Sequence, residues 1–337
     1  MRLARPAKLP RRTSWLIPVL LVSIACHKPA LADAARKSGL NRPQTIRPES
    51  VTGLQAYFEA LDYDWSQLDS GVPPFILEGL PEDIDNSVST AEKKRAFFMG
   101  LLPMVLLANQ EIAREREEVL QILERYRVME ARPGDIPRLE EIMARYGLRG
   151  NPYSDHRLRA RLLSRVDTLP PSLVLAQAAN ESAWGTSKFA RLGNNLFGEW
   201  TFRPGTGMIP DDRPAGETYE VRRFTSIYAS IRSYMNNLNR NGAYARLREI
   251  REKLRKANQP VTGVALAQGL LKYSERGQDY IAEIQAMIRQ NELSRVNTAF
   301  LRQTRIERLA VPGITGSGFF STRNRLAGQL IPVRQHP

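Results

Sequence analysis

The chain has 337 residues, of which 42% are hydrophobic and 25% charged, an ordinary globular composition that argues against a disordered or fibrous protein. Its net charge is +14, but six of the 49 basic residues and none of the 35 acidic ones lie within positions 1–32, so the remainder carries an excess of eight. That excess suits an anionic polymer as partner, and a solvated basic surface explains it equally well.

The first 32 residues are typical of a secretory signal peptide. Basic residues precede an apolar run over residues 15–25, and Ala30-Leu31-Ala32 offers small residues where a signal peptidase cleaves. The run is interrupted by Pro18 and is far shorter than the roughly 20 residues that span a bilayer. We therefore expect cleavage after Ala32, no stable membrane span afterwards, and a periplasmic protein.

Export has further consequences. Cleavage removes Cys26, the one cysteine, so the mature protein has no disulfide. Lipid attachment through Cys26 is the less favoured alternative and also leaves the protein outside the cytoplasm. An exported protein does not meet nucleic acid, which the positive charge alone would permit.

Residues 33–150 are predicted to form a helical amino-terminal region. From Thr90, apolar residues recur at spacings of three and four, and the pattern continues over residues 112–129. Pro103 is expected to kink or interrupt this helix. Further helices are predicted over residues 136–146 and 157–166.

The rest of the chain divides into two parts. Residues 151–294 contain all the motifs discussed below. Residues 295–337 have few periodic apolar positions and many Arg, Gly, Ser and Thr, a composition that predicts a disordered basic tail.

A helix opening at Pro170-Pro171 carries the principal candidate residue. Its body is almost entirely small or apolar, so it is expected to be buried on most sides. Glu181 lies near its carboxyl end, on the same face as Gln177, and Trp184-Gly185 ends the helix. An apolar neighbourhood that includes this indole raises a carboxyl pKa, as a general acid requires; a surface glutamate is the alternative.

Two strands, over residues 207–209 and 217–224, are predicted around the turn that begins at Pro210. Glu217 and Glu220 are three residues apart, so they face opposite sides of the second strand and only one can face a cleft.

Two motifs that follow one another along the chain indicate a family. The string from Ala176 to Gly185, followed by Asn195-Leu196-Phe197-Gly198, resembles the bacterial peptidoglycan N-acetylglucosaminidases that include the flagellar-rod hydrolases. Shorter strings, among them Tyr219-Glu220-Val221 and the run Tyr273–Gly277, resemble the Bax-type branch of that family. The resemblance extends from about Pro73 to Leu293.

The resemblance implies an α+β, mainly helical fold: a lysozyme-like lobe with a small β-hairpin over its cleft, flanked by the amino-terminal helices. It implies hydrolysis of the β-1,4 bond after N-acetylglucosamine in peptidoglycan, with Glu181 as general acid. Tyr273, expected on a helix from Gly263, matches a tyrosine that this family places in the cleft.

A second carboxylate usually activates water or stabilises the sugar cation. Glu220 is favoured because it lies in the resembling string, with Glu217 as the alternative. The acetamido group of the substrate could also serve, without a second carboxylate.

Several other residues are predicted to bind the glycan. Aromatic side chains stack on the apolar faces of sugars, and amides can bind an acetamido group. The predicted binding residues are Gln177, Trp184, Asn195, Phe197, Trp200 and Tyr219.

No cofactor or metal is expected, because His156 and His336 have no accompanying ligand cluster. Two other functions are retained as alternatives. A lytic transglycosylase would use the sugar's own hydroxyl in place of water, and a non-catalytic scaffold would bind peptidoglycan without turnover.

Overall fold

The structure is a computed structural model that describes residues 43–85, 89–211, 213–214, 216–303 and 311–315. The predicted signal peptide, Cys26 and His336 lie outside these residues. Ten α-helices occur in the described part of the chain: α1 Val51–Ala60, α2 Thr90–Arg127, α3 Asp135–Arg145, α4 His156–Arg165, α5 Pro171–Glu181, α6 Lys188–Gly193, α7 Ile227–Arg240, α8 Ala245–Lys256, α9 Gly263–Ala267 and α10 Gln278–Gln290. This confirms a mainly helical fold.

The longest helix, α2, begins with a capping box. The Ser89 hydroxyl accepts from the backbone N–H of Glu92, and the Glu92 carboxylate accepts from the backbone N–H of Ser89. The helix continues through Pro103, so it is not interrupted there, and the alternative of a kink stays a prediction. Residues 96–108 are all buried, and this packing offsets the backbone hydrogen bond that proline cannot make.

By length and composition α2 could cross a membrane, but 78% of its apolar window is buried inside the protein. Its apolar residues are thus accounted for by the core.

A single large core joins the amino-terminal helices to the segment that carries the motifs. It includes the first half of α2 together with side chains from α1, α5, α7 and α10. Helix α5 lies at its centre, since residues 171–179 are all buried and contact α2 and α10. A second, smaller core joins the end of α2 to α3 and α4.

Two small sheets complete the described fold. In the first, β1 (Gln44–Pro48) pairs in parallel with β2 (Phe75–Leu77) and antiparallel with β6 (Ile314–Thr315). In the second, β5 (Glu220–Arg222) lies between β3 (Trp200–Thr201) and β4 (Gly207–Met208), all antiparallel. The two predicted strands are therefore present in shorter form, and β3 was not predicted.

Part of the predicted disordered tail is folded. A 3₁₀-helix over Leu293–Thr298 buries Val296, and β6 adds to the first sheet. The Arg302 guanidinium donates to backbone carbonyls of Leu61, Asp62 and Gly71. Residues 295–303 and 311–315 thus pack against the amino-terminal segment because this arginine and the edge of β1 provide specific partners.

Candidate active site

The end of α5 positions Glu181. The helix ends at Glu181, and Ser182 follows as its carboxyl-terminal cap. The buried Ser182 hydroxyl donates to the carbonyl of Ala178 at 2.6 Å and accepts from the N–H of Gly185 at 2.8 Å. Ser182 therefore fixes the turn immediately after the glutamate.

The turn itself is a left-handed segment. Ala183, Trp184 and Gly185 have φ values of 50°, 60° and 83°, and only glycine adopts such values without cost. A β-carbon at Gly185 would lie 2.6 Å from Leu80 Cδ1. The Ser-x-Trp-Gly string is thus explained by the geometry of the helix end.

Trp184 makes its aromatic contacts with α2. Its half-buried indole packs on Phe97 and Phe98 of α2, with ring centroids 6.0 and 5.1 Å away, and the Lys94 ammonium lies 4.5 Å from the ring. The left-handed turn directs the side chain toward α2. An indole beside Glu181 stays a prediction, and the aromatic group that contacts the carboxyl is a different one.

That group is the phenol of Tyr280, on α10. Its hydroxyl donates to Glu181 Oε1 at 2.6 Å. Burial raises the pKa of the half-buried Glu181 carboxyl above its ordinary value, while hydrogen bonds from Tyr280 and Asn180 oppose that rise. The raised pKa predicted for Glu181 thus agrees with its surroundings. Sequence reasoning missed Tyr280, because no local pattern indicates a contact with a residue 99 positions earlier.

Gln177 lies one turn before Glu181 and is fully buried. Its side-chain amide donates to the Tyr280 hydroxyl at 2.8 Å, and its oxygen accepts from the hydroxyl of Tyr234 on α7. Both ends of the amide are occupied inside the protein. Direct contact with a substrate, as predicted, is therefore not supported by this geometry.

Tyr273, Tyr280 and Tyr234 form a cluster of phenols. The ring of Tyr273 stacks on Tyr280 at 5.2 Å and meets Tyr234 edge-on at 6.5 Å. It lies in the turn after α9, which ends at Ala267, so its predicted place on a helix is wrong. Burial raises the pKa of Tyr273 well above its ordinary value, and the charge of Glu181 contributes. The structure thus brings Tyr273 close to Glu181.

The Asn-Leu-Phe-Gly turn has a structural explanation. Asn195 is buried; its oxygen accepts from the N–H of Glu199, and its NH₂ donates to the carbonyls of Glu199 and Arg222. Phe197, 5% exposed, stacks on Tyr234 at 3.8 Å. These contacts hold the turn to β5 and to the phenol cluster. They leave little accessible surface on Asn195 or Phe197 with which a ligand could make contact.

Glu220 is held by the hairpin. Its carboxylate accepts from the N–H groups of Gly205 at 2.9 Å and Gly207 at 2.7 Å, and these hydrogen bonds lower its pKa. Such contacts favour a role in shaping the hairpin. The catalytic role predicted for Glu220 stays a prediction, as does that of Glu217, which is exposed.

Trp200 and Tyr219 form an accessible aromatic pair on the second sheet. Their rings stack at 4.4 Å and 8° between planes, and Trp200 is 57% exposed. Phe202 and Ile209, at the ends of the neighbouring strands, are also exposed. Of the predicted binding residues, this pair best retains a face for a ligand.

Glu199 is a second carboxyl group that sequence reasoning did not single out. One oxygen accepts from the Ser233 hydroxyl at 2.7 Å, and the other is buried without a hydrogen-bond partner among the described residues. Burial raises its pKa. Burial also raises the pKa of Tyr244, with smaller contributions from the charges of both Glu181 and Glu199, so both carboxyls lie near this phenol.

No group of three or more potential metal ligands occurs among the residues that the structure describes. His156 begins α4, after the Asp155 cap.

Comparison with known proteins identifies the family. A family model described as mannosyl-glycoprotein endo-beta-N-acetylglucosaminidase, or Glucosaminidase, matches residues 159–293. Protein bax of Escherichia coli (strain K12) is 33% identical over 210 residues, which cover 62% of this chain and 74% of that protein. The catalytic domain of the autolysin Auto from Listeria monocytogenes aligns with a TM-score of 0.31 at 15% identity, covering 64% of this chain and 93% of that one.

The family match begins within α4 and ends just after α10, so it includes Glu181 and the residues that surround it. The relative from Escherichia coli extends the similarity over most of its own length. This chain therefore belongs to the glucosaminidase family and is a glycosidase-type enzyme.

Proposed function

We propose that the protein hydrolyses the β-1,4 bond after N-acetylglucosamine in peptidoglycan, with Glu181 as general acid. The observation that carries this proposal is the environment of Glu181, because burial raises the pKa of its half-buried carboxyl. A general acid must hold its proton near neutral pH and release it to the glycosidic oxygen. Its position at a helix end supports that role, as do the four phenols that lie near it, those of Tyr234, Tyr244, Tyr273 and Tyr280.

The substrate assignment has three supports. The family description refers to N-acetylglucosamine linkages. The exposed Trp200–Tyr219 pair offers a flat apolar surface on which a sugar ring can stack. The excess of basic residues beyond position 32 suits a polymer that carries peptide carboxylates. We further propose that β4 and β5 of this sheet are the hairpin over the glycan-binding cleft.

A group that completes the reaction is also proposed. Tyr273 stacks beside Tyr280 and can stabilise positive charge on the sugar or orient water. Glu220 remains the favoured second carboxylate and Glu217 the alternative; the substrate's acetamido group can act where neither does. We propose that the protein is exported to the periplasm through residues 1–32, where its substrate lies, and that no cofactor takes part.

The test compares the wild-type chain with Glu181→Gln on purified sacculi, with mass spectrometry of the released fragments. We expect fragments with reducing N-acetylglucosamine ends from the wild type and a loss of at least about 100-fold in the variant, since a general acid supplies roughly 10²- to 10⁴-fold. Glu249→Gln, which changes an exposed carboxyl on α8 that pairs with Arg246, is the matched control and should retain full activity.

Other outcomes distinguish the alternatives. Anhydro-muramic ends would identify a lytic transglycosylase. Binding to sacculi by the wild type without any released fragment would identify a scaffold. Equal release by Glu181→Gln and the wild type would show that another residue is the acid.

A further inference from the structure

A line of buried groups connects α7 to the carboxyl of Glu181. The Tyr234 hydroxyl donates to Gln177 Oε1, Gln177 Nε2 donates to the Tyr280 hydroxyl oxygen at 2.8 Å, and that hydroxyl donates to Glu181 Oε1 at 2.6 Å. Tyr234, Gln177 and Tyr280 are 1%, 0% and 2% exposed. Bulk water therefore does not compete for these hydrogen bonds, which are stronger in such surroundings.

Each hydrogen bond in this line has a defined donor and acceptor. A side-chain amide has an oxygen that only accepts and an NH₂ that only donates. Because Tyr234 donates to the oxygen of Gln177, the NH₂ faces Tyr280 and occupies its hydroxyl oxygen as an acceptor. The single O–H of Tyr280 must then point elsewhere, and it points to Glu181 Oε1.

This direction determines which oxygen of Glu181 carries the catalytic proton. A protonated carboxyl has one carbonyl oxygen, which accepts, and one hydroxyl oxygen, which donates. We infer that Tyr280, oriented by Gln177, is a positioning residue that keeps Oε1 as the accepting oxygen and leaves the transferable proton on Oε2. The inference rests on the proposed role of Glu181 as general acid.

The surroundings of Tyr280 suit a positioning role. Its ring is buried in the core and stacks on Tyr273 with 11° between the planes, so the hydroxyl has little freedom to move. Its hydrogen bond also stabilises the ionised carboxylate and lowers the pKa of Glu181, opposing the larger effect of burial. Loss of this one hydroxyl should therefore raise the pKa of Glu181 and remove one of the two hydrogen bonds that orient its carboxyl, the other being from Asn180.

The experiment uses Tyr280→Phe in the full chain, with Tyr146→Phe as matched control. Tyr146 is equally buried at 2% exposed, and its hydroxyl also donates to a buried glutamate, Glu115, at 2.8 Å, but in the second core. Carbon-13 NMR titration of the glutamate carboxyls gives the pKa of Glu181, assigned by the resonance lost in Glu181→Gln. Turnover of sacculi as a function of pH gives kcat and kcat/KM.

In Tyr280→Phe we expect a higher pKa for Glu181, a basic limb of kcat/KM moved to higher pH, and a loss in kcat of about tenfold or more, within the range that a general acid supplies. Tyr146→Phe should change neither the pKa nor kcat, even where it lowers the melting temperature. Gln177→Met, which removes the amide that orients Tyr280, should shift the pKa of Glu181 in the same direction.

An unchanged pKa of Glu181 in Tyr280→Phe would overturn the inference, whatever the activity. A raised pKa with wild-type kcat would overturn the positioning role. A wild-type chain that releases no fragments would refute the proposed function instead, and the NMR titration would still decide the hydrogen bond.

Discussion

Replacing Gly185 with alanine should destabilise the turn that follows Glu181. Its φ of 83° costs an L-residue about 1–2 kcal/mol. The new β-carbon would lie 2.6 Å from Leu80 Cδ1 and 3.2 Å from Phe97 Cε2, and crowding of this kind costs about 1–3 kcal/mol. Alanine also lowers the conformational entropy of the unfolded chain, which offsets about 0.5–1 kcal/mol of the lost stability. We expect a net loss of about 2 kcal/mol, since Leu80 can rotate away.

Thermal unfolding followed by circular dichroism measures this loss. A change of that size lowers Tm by about 4–8 °C in a domain of roughly this length. Two other glycines separate the causes. Gly134→Ala has ordinary φ and no atom near the new β-carbon, so Tm should not fall, whereas Gly198→Ala has φ of 65° with open space and should show the backbone cost alone. If Gly185→Ala is no less stable than Gly198→Ala, the contact with Leu80 and Phe97 is not significant.

Three further predictions concern the site. Because burial raises the pKa of Glu181, kcat/KM on sacculi should fall only as the pH rises through a value above the ordinary glutamate pKa; a basic limb at or below that value would contradict this. Trp200→Ala should raise KM for glycan about threefold to tenfold, which corresponds to the binding free energy of one aromatic contact. The free energy of unfolding should stay within about 0.5 kcal/mol of the wild type, and an unchanged KM would show that Trp200 is not part of the binding surface. The folded state holds the proton of Glu199 more tightly than the unfolded chain, so its contribution to stability is lost as the pH rises from the ordinary glutamate pKa through the folded one. Glu199→Gln should therefore flatten the dependence of Tm on pH, whereas a curve parallel to that of the wild type would show that folding does not change the pKa of Glu199.

The position of Glu181 could be predicted from sequence because it depends on local features. The residues from Ser172 to Ala179 are small or apolar except Gln177 and define a buried helix, and the Trp184-Gly185 pair marks its end. The direction of the Trp184 side chain could not be predicted, since three successive left-handed residues turn it toward α2. Helical spacing carries no information about a turn of that kind.

The aromatic partner of Glu181 depends on tertiary packing. Tyr280 lies 99 residues later, and only the contact between α5 and α10 brings it to the carboxyl. Residue type alone also does not separate a binding role from a structural one for Gln177 and Asn195. Polar side chains in a motif suggest ligand binding, but both are buried and make internal hydrogen bonds instead. Their hydrogen-bonding partners could not be identified without the fold.

The shared core around α5 has a practical consequence for anyone isolating the catalytic segment. The family match covers residues 159–293, yet α5 packs on α2, which lies wholly upstream of that range. A fragment cut to those limits would expose the apolar side chains of α5 that α2 covers, and it would be prone to aggregation. The smallest piece that can be expected to behave as a soluble enzyme therefore begins before β1 and retains β6.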